Sequence, residues 1–155
     1  MVLTPNRRRF FTGTYPVTVD AQRRLTMPKG WRLPSDSDDT LFYLIPGRHQ
    51  QICLVTEDRV DRILEKIVDS SMASDDKMAS YTDLGSKIQE AILDKQGRFA
   101  LSPLLAEFAG IKDKAVFLGS MICGVIVAPE NWQNRVAPLE SSLDILQLME
   151  ERPRS

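Results

Sequence analysis

His49 is the only histidine in the chain, so a serine–histidine–aspartate arrangement has one candidate base, and no nucleophile motif stands near it. A zinc site takes about four nitrogen or sulfur ligands. Cys53, Cys123 and His49 fall short of that number and sit at no recognised spacing. Asp36, Asp38 and Asp39 have the composition of a calcium loop, but Leu41 stands where that loop requires glycine and its bidentate glutamate is missing. A solvated loop is the better reading. No glycine-rich loop is present to cradle phosphate. Enzyme chemistry is not expected, and neither is a metal or a cofactor.

One pattern that could do chemistry occurs twice. Asp20-Ala-Gln-Arg-Arg24-Leu-Thr-Met-Pro28 and Asp94-Lys-Gln-Gly-Arg98-Phe-Ala-Leu-Ser-Pro103 share Asp-x-x-x-Arg, a short run of mostly apolar residues and then proline, at an offset of 74 residues. An arginine held on a turn between two short strands is a fork of donors on a rigid mount, suited to phosphate oxygens or to the O6/N7 edge of guanine. Gln22 and Gln96, two residues before each arginine, add amides to the same turns. The plainer alternative is that each aspartate caps its turn and pairs with its arginine, a surface pair worth at most about 1 kcal/mol. From the turns alone both readings stay open.

Charge points the same way as the first reading. The formal net charge is −1, yet residues 1–32 hold seven Lys and Arg against Asp20 alone, which sets that segment at +6 and the remainder at −7. A basic N-terminal segment on an acidic body suggests an anionic partner, although charge alone fits a solvated arm that binds nothing equally well. The Arg7-Arg8-Arg9 triplet is followed by no long apolar stretch of the kind a secretory signal needs. The longest apolar run, Ala115 to Ala128, is broken by Gly119, Ser120 and Gly124 and is shorter than the roughly 18 residues of a membrane span. A cytoplasmic protein with no membrane partner is expected. Cys53 and Cys123 both sit in apolar runs, and two buried thiols in a reducing compartment are a plainer reading than a bond between them.

The elements that must position the turns follow from local signals. Thr14–Val19 is rich in β-branched and aromatic residues, and Pro16 assigns it to a sheet edge or a strand start. Asp20–Arg24 is then a turn, matched by Asp94–Arg98, where Gly97 supplies positive φ. Leu25–Met27 and Phe99–Leu101 return as strands, and a short helix follows each proline. In the second copy that helix has Ser102 as N-cap, Pro103 at its first position and Gly110 as its stop. Leu41–Ile45 with Ile52–Val55, and Ala115–Leu118 with Val125–Val127, read as strand pairs broken at Pro46-Gly47 and at Gly119–Gly124. Each copy is thus a βαβ-rich unit of about 45 residues, too small to bury its strand faces alone. Between the copies Val60, Ile63, Leu64, Ile67 and Val68 form one apolar helix face after Thr56, and a second short helix runs from about Asp75 to Leu84, ended by Gly85. Leu139, Leu143, Leu146 and Met149 make a C-terminal stripe. These helices are expected to cover sheet or to meet a neighbouring subunit.

The doubled turn with unequal proline spacing resembles the MraZ family, a branch of the AbrB-like swapped-hairpin transcription factors. Gly13-Thr14 ahead of the first strand, Leu84-Gly85 nine residues before Asp94, and Ala128-Pro-Glu-Asn-Trp132 after the last strand add to the likeness, which covers residues 11–135. The resemblance implies a mainly β fold with α-helices: two β-β-α-β-β swapped-hairpin repeats, at 11–58 and 86–132, forming a pseudo-symmetric β-barrel. Linking helices would occupy 59–85, and a C-terminal helix and tail 133–155. It also implies a sequence-specific regulator, expected to repress its own division and cell-wall gene cluster, that binds tandem promoter repeats of double-stranded DNA as a ring-shaped homo-oligomer in the nucleoid. Arg24 and Arg98 match the family arginine, and Asp20 and Asp94 its turn-forming aspartate. The candidate DNA contacts are Arg7, Arg8, Arg9, Gln22, Arg23, Arg24, Lys29, Lys95, Gln96 and Arg98, with Asp20, Asp94 and Gly97 forming the turns. The departure is Arg23, which stands where the family has glycine; if positive φ is required there, Arg23 stores strain, and otherwise the turn differs there and Arg23 is an extra phosphate contact. The competing expectation is an oligomeric β-rich interaction scaffold without specific DNA binding. An antitoxin-like role would need a disordered tail, and only Glu150–Ser155 reads as loose.

Overall fold

Alternating apolar residues and turn-forming pairs set out eight short strands, and the chain is mainly β with helices between and after them. The computed structural model describes residues 8–69, 75–132 and 140–151. In chain order these are β1 (Thr14–Thr18), β2 (Arg24–Thr26), β3 (Leu41–Pro46), β4 (Ile52–Thr56), α1 (Glu57–Asp69), α2 (Asp75–Gly85), β5 (Gln89–Ile92), β6 (Arg98–Ala100), α3 (Pro103–Ala109), β7 (Lys114–Gly119), β8 (Gly124–Val127), α4 (Pro129–Trp132) and α5 (Glu140–Glu151). Leu139 of the expected C-terminal stripe lies outside the described residues. Among the described residues no helix is long and apolar enough to cross a membrane.

Six strands form one antiparallel sheet in the order β1-β7-β8-β4-β3-β5, and β2 pairs with β6 in a separate ribbon. Replacing each of β1–β4 by its counterpart in β5–β8 reverses this order and leaves it unchanged. The first strand of each half therefore lies at the far end of the sheet, hydrogen-bonded to the third strand of the other half: β1 on β7 and β5 on β3. The halves are not separate bodies. Pro16 sits on an end strand, where its missing N–H breaks no second ladder.

The pleat sends Phe42 and Leu44 of β3, Ile52 and Leu54 of β4, Phe117 of β7 and Ile126 of β8 to one face, where Leu25 and Phe99 of the ribbon meet them in a single buried cluster. Trp31 is at its centre, with no exposed surface. Its ring is edge-on to Phe11, Tyr15 and Phe117 at 5.2, 5.8 and 5.5 Å, and its Nε1–H donates to the Thr12 carbonyl at 2.7 Å. A side chain of that size at such a position is worth roughly 3–5 kcal/mol against alanine. Gly124 leaves room for it, since a Cβ there would lie 2.7 Å from the Trp31 ring.

Three features differ from the sequence reading. The helix after Pro28 is a single 3-10 turn, Lys29–Trp31, whereas its counterpart α3 is a full α-helix capped by the Ser102 hydroxyl and ended by Gly110 in the left-handed conformation. Gly30 and Pro34 leave the first copy too little helix-forming sequence, and Trp31 is drawn into the core instead. The aspartate loop is not wholly solvated, because Asp36 is ion-paired to Arg9, and both side chains keep only 12% of their exposure. The cysteines are free and half-buried on the opposite sheet face, near a small cluster of Val116, Val125 and Val127. There the Cys53 thiol, together with the charge and hydrogen bond of Arg59 and a contact from Ser120, brings the Cys123 thiol down to about 6, while the Cys53 thiol is itself pushed up. Ile63, Leu64 and Val68 of α1 and Leu143, Leu146 and Met149 of α5 remain exposed.

Candidate nucleic-acid interface

Each turn is built around one carboxylate. Asp20 Oδ1 accepts the backbone N–H of Gln22 at 2.9 Å and of Arg24 at 2.8 Å, while Oδ2 accepts Arg24 Nε at 2.7 Å. Asp94 repeats the set with Gln96 N–H at 2.9 Å, Arg98 N–H at 2.9 Å and Arg98 Nε at 2.9 Å. The backbone closes both loops identically: Asp20 bonds to Arg23 and Arg24, and Asp94 to Gly97 and Arg98. The backbone N–H of the arginine is the largest influence holding each aspartate below the usual carboxylate range; partial burial opposes it, and the arginine side chain adds to it. The fourth position of each turn is left-handed, with φ of 60° at Arg23 and 78° at Gly97. Only glycine adopts that region without steric cost, so Arg23 is held there by the bonds around it.

The aspartate takes its hydrogen bond from Nε alone, leaving four of the guanidinium's five N–H donors with no partner among the described residues. Both side chains are partly exposed, at 32% for Arg24 and 29% for Arg98.

The ribbon places these two forks together. Its register sets Leu25 opposite Phe99, Arg24 opposite Ala100 and Thr26 opposite Arg98. Leu25 and Phe99 point into the core, so Arg24, Thr26, Arg98 and Ala100 share the outer face. The two arginines lie on its diagonal, about 7 Å apart along the strands. Beyond the ladder, Met27 N–H donates to the Gly97 carbonyl and Leu101 N–H to the Arg23 carbonyl, both at 2.8 Å. Each turn is thus tied to the strand that leaves the other.

The remaining sequence candidates divide. Gln22, Gln96, Lys95 and Lys29 are exposed on or beside the turns, and Lys29 and Lys95 line a groove of about 420 Å³ next to the second one. Arg8 is exposed, and Arg7 lies outside the described residues. Arg9 faces inward: Nη1 and Nη2 make a forked pair with Asp36 at 2.8 and 2.6 Å, Nη1 also donates to the Trp31 carbonyl at 2.7 Å, and the guanidinium lies 4.7 Å from the Phe42 ring centre. Its donors are occupied by the fold, so it does not stand with its neighbours as a free cation. Burial raises the Asp36 carboxyl, but Arg9, the Leu33 N–H and nearby Arg32 together hold it below the usual range. The residue missed by sequence reasoning is Arg32, whose Nη1 lies over the second turn, 3.5 Å from the Gln96 carbonyl. The one sequence signal for it was its place after an aromatic residue that the core would anchor.

No family model matches the chain. Among curated proteins it is 27% identical to the transcriptional regulator MraZ of Coxiella burnetii (strain RSA 493 / Nine Mile phase I) over 119 residues, 70% of this chain and 73% of that protein. It is 26% identical to the protein of the same name from Corynebacterium urealyticum (strain ATCC 43042 / DSM 7109) over 131 residues, 84% of this chain and 90% of that one. Against the one from Caldicellulosiruptor saccharolyticus (strain ATCC 43494 / DSM 8903 / Tp8T 6331) it is 28% identical over 148 residues, 90% and 96% of the two chains.

Proposed function

We propose that this chain, similar over most of its length to MraZ proteins, is a MraZ-family DNA-binding transcription regulator, not an enzyme, whose contact surface is the outer face of the β2–β6 ribbon. The observation that carries the reading is the pair of equivalent turns on one hydrogen-bonded ribbon, each presenting four guanidinium donors that have no partner among the described residues. Arg24 and Arg98 are the central contacts, to a base edge or to phosphate. Arg23, Gln22, Gln96, Lys29 and Lys95 surround them, and Arg8 flanks them. Arg9 is left out, because it is committed to Asp36.

The finer reading continues from the family. The exchanged end strands fit two swapped-hairpin repeats, 11–58 and 86–132, folded around one pseudo-two-fold axis into a barrel-like body, with 59–85 linking them and 133–155 following. The regulator works in the cytoplasm on the nucleoid. It assembles with itself into a ring, binds tandem repeats upstream of its own division and cell-wall gene cluster, and represses that cluster.

A gel shift with the DNA upstream of the chain's own gene, in excess non-specific competitor, tests this. The expected result is a retarded complex that Arg24→Ala and Arg98→Ala each weaken by about 1–3 kcal/mol while the fold is retained. No retarded complex, or a double variant that binds like the parent, would overturn it. A second reading, an interaction scaffold, draws on the exposed apolar faces of α1 and α5; it predicts no retarded complex at all.

A further inference from the structure

The two turns differ in one respect. The first carries a second guanidinium of its own, because Arg23 stands in the left-handed position beside Arg24. The second has Gly97 there, and the space above it is filled from elsewhere. A Cβ on Gly97 would lie 2.1 Å from Nη1 of Arg32 and 2.8 Å from its Cζ. Each turn therefore has a second arginine beside its Asp-x-x-x-Arg pair, an exposed one carried by the turn itself in the first half and one reaching over from the segment after Pro28 in the second.

The backbone on either side of Arg32 is held by the fold. Before it, Trp31 is fully buried, and its carbonyl takes a hydrogen bond from Arg9. After it, the Leu33 N–H donates to Asp36 at 2.8 Å, the same carboxylate that holds Arg9 in a forked pair. The Arg9–Asp36 pair thus clamps the backbone on both sides of Arg32. Around it the groove is lined by Lys29 and Lys95 and by the carboxylates of Asp36, Asp38 and Asp94, of which Asp36 is paired with Arg9 and Asp94 with Arg98.

We propose that Arg32 is a DNA phosphate contact that completes a two-arginine site at the second turn, matching the Arg23–Arg24 pair at the first, with Arg9 and Asp36 as the positioning residues that hold it. The proposal rests on the DNA-binding reading above. Phosphate is the ligand favoured for Arg32 because the residue sits beside the ribbon, flanked by lysines, while the ribbon's outer face holds Arg24 and Arg98. Contacts to the DNA phosphates fix register and orientation without reading sequence directly.

The test is a fluorescence-anisotropy titration, over a series of salt concentrations, of Arg32→Met and Arg32→Lys on two duplexes: the DNA upstream of the chain's own gene and a random sequence of equal length. Methionine keeps an aliphatic stem over Gly97 without the charge, and the melting temperature of each variant reports that it is folded. Arg32→Met is expected to weaken both duplexes by a similar factor, roughly fivefold, and to lower the salt slope by about one, while Arg32→Lys retains most of the slope. Unchanged affinity and slope in Arg32→Met would overturn the proposal, as would a loss confined to the upstream duplex, which would mean base reading. Arg24→Ala and Arg98→Ala run alongside. If they lose binding while Arg32→Met does not, only this inference fails; if none of the three loses binding, the DNA reading fails with it.

Discussion

At the scale of single residues, the aspartates do the organising and the arginines are left to act. An aspartate that accepts two backbone N–H groups and one Nε–H has its carboxylate form favoured by each of them. Its folded pKa lies below its ordinary value, so the stability it contributes is complete above about pH 4 and is lost as pH falls further through the lowered folded value. The double variant Asp20→Asn, Asp94→Asn should therefore show a flatter loss of melting temperature below about pH 4 than the parent. Asp36 and Asp39, also held below the ordinary value, are left intact in that comparison and supply the residual slope. Arg23 supports an opposite pair of effects. Arg23→Gly relieves a left-handed residue but gains freedom in the unfolded chain, so stability should rise by no more than about 1 kcal/mol. DNA affinity should fall, because one guanidinium is gone. Urea melts and anisotropy titrations of the same sample separate the two, and a variant that is less stable but binds unchanged would contradict both.

At the scale of elements, what could be read in the sequence was what is local. The β3–β4 and β7–β8 hairpins agree with the expected strands to within a residue at nearly every end, because Pro46-Gly47 and Gly119–Gly124 punctuate them. The α3 helix was legible from Ser102, Pro103 and Gly110, each of which does what its type favours. The turns were legible for the same reason, down to the positive φ at Gly97, whereas the conformation of Arg23 was left open by its residue type. Cross-half pairing was not. A period of two says which face of a strand is buried but not which strand lies beside it, so nothing in Arg24–Thr26 names Arg98–Ala100 as its partner. Arg9 and Arg32 were hidden by distance. One finds its carboxylate 27 residues on, and the other a carbonyl 64 residues on, and a cation whose partner is remote in sequence looks solvated.

At the scale of the whole molecule, one subunit offers a single ribbon face, less than the roughly 1,000 Å² that tight specific DNA binding usually buries. Repetition supplies the rest if subunits assemble as proposed. Two in-phase promoter repeats should then bind about 10²- to 10⁴-fold more tightly than one, with no new type of contact. Moving one repeat by half a helical turn should remove most of that gain, because neighbouring ribbons would face opposite sides of the duplex. A titration on one repeat, two in phase and two out of phase decides this; equal affinities would mean that each subunit binds alone. The exchanged end strands carry a different consequence, one that concerns synthesis. β1, which leads into the first turn, pairs in the sheet with β7 alone, through register partners 96 to 104 residues further along the chain. As the chain leaves the ribosome, N-terminus first, the first turn has its flanking strand unpaired until nearly all of the β-sheet has been made. Such long-range closure is slow, and it makes completion all-or-none. A nascent or truncated chain ending before Lys114 therefore holds the first turn and its basic residues without the frame that aims them, so an unfinished copy should be inert on the promoter and should not compete with finished ones.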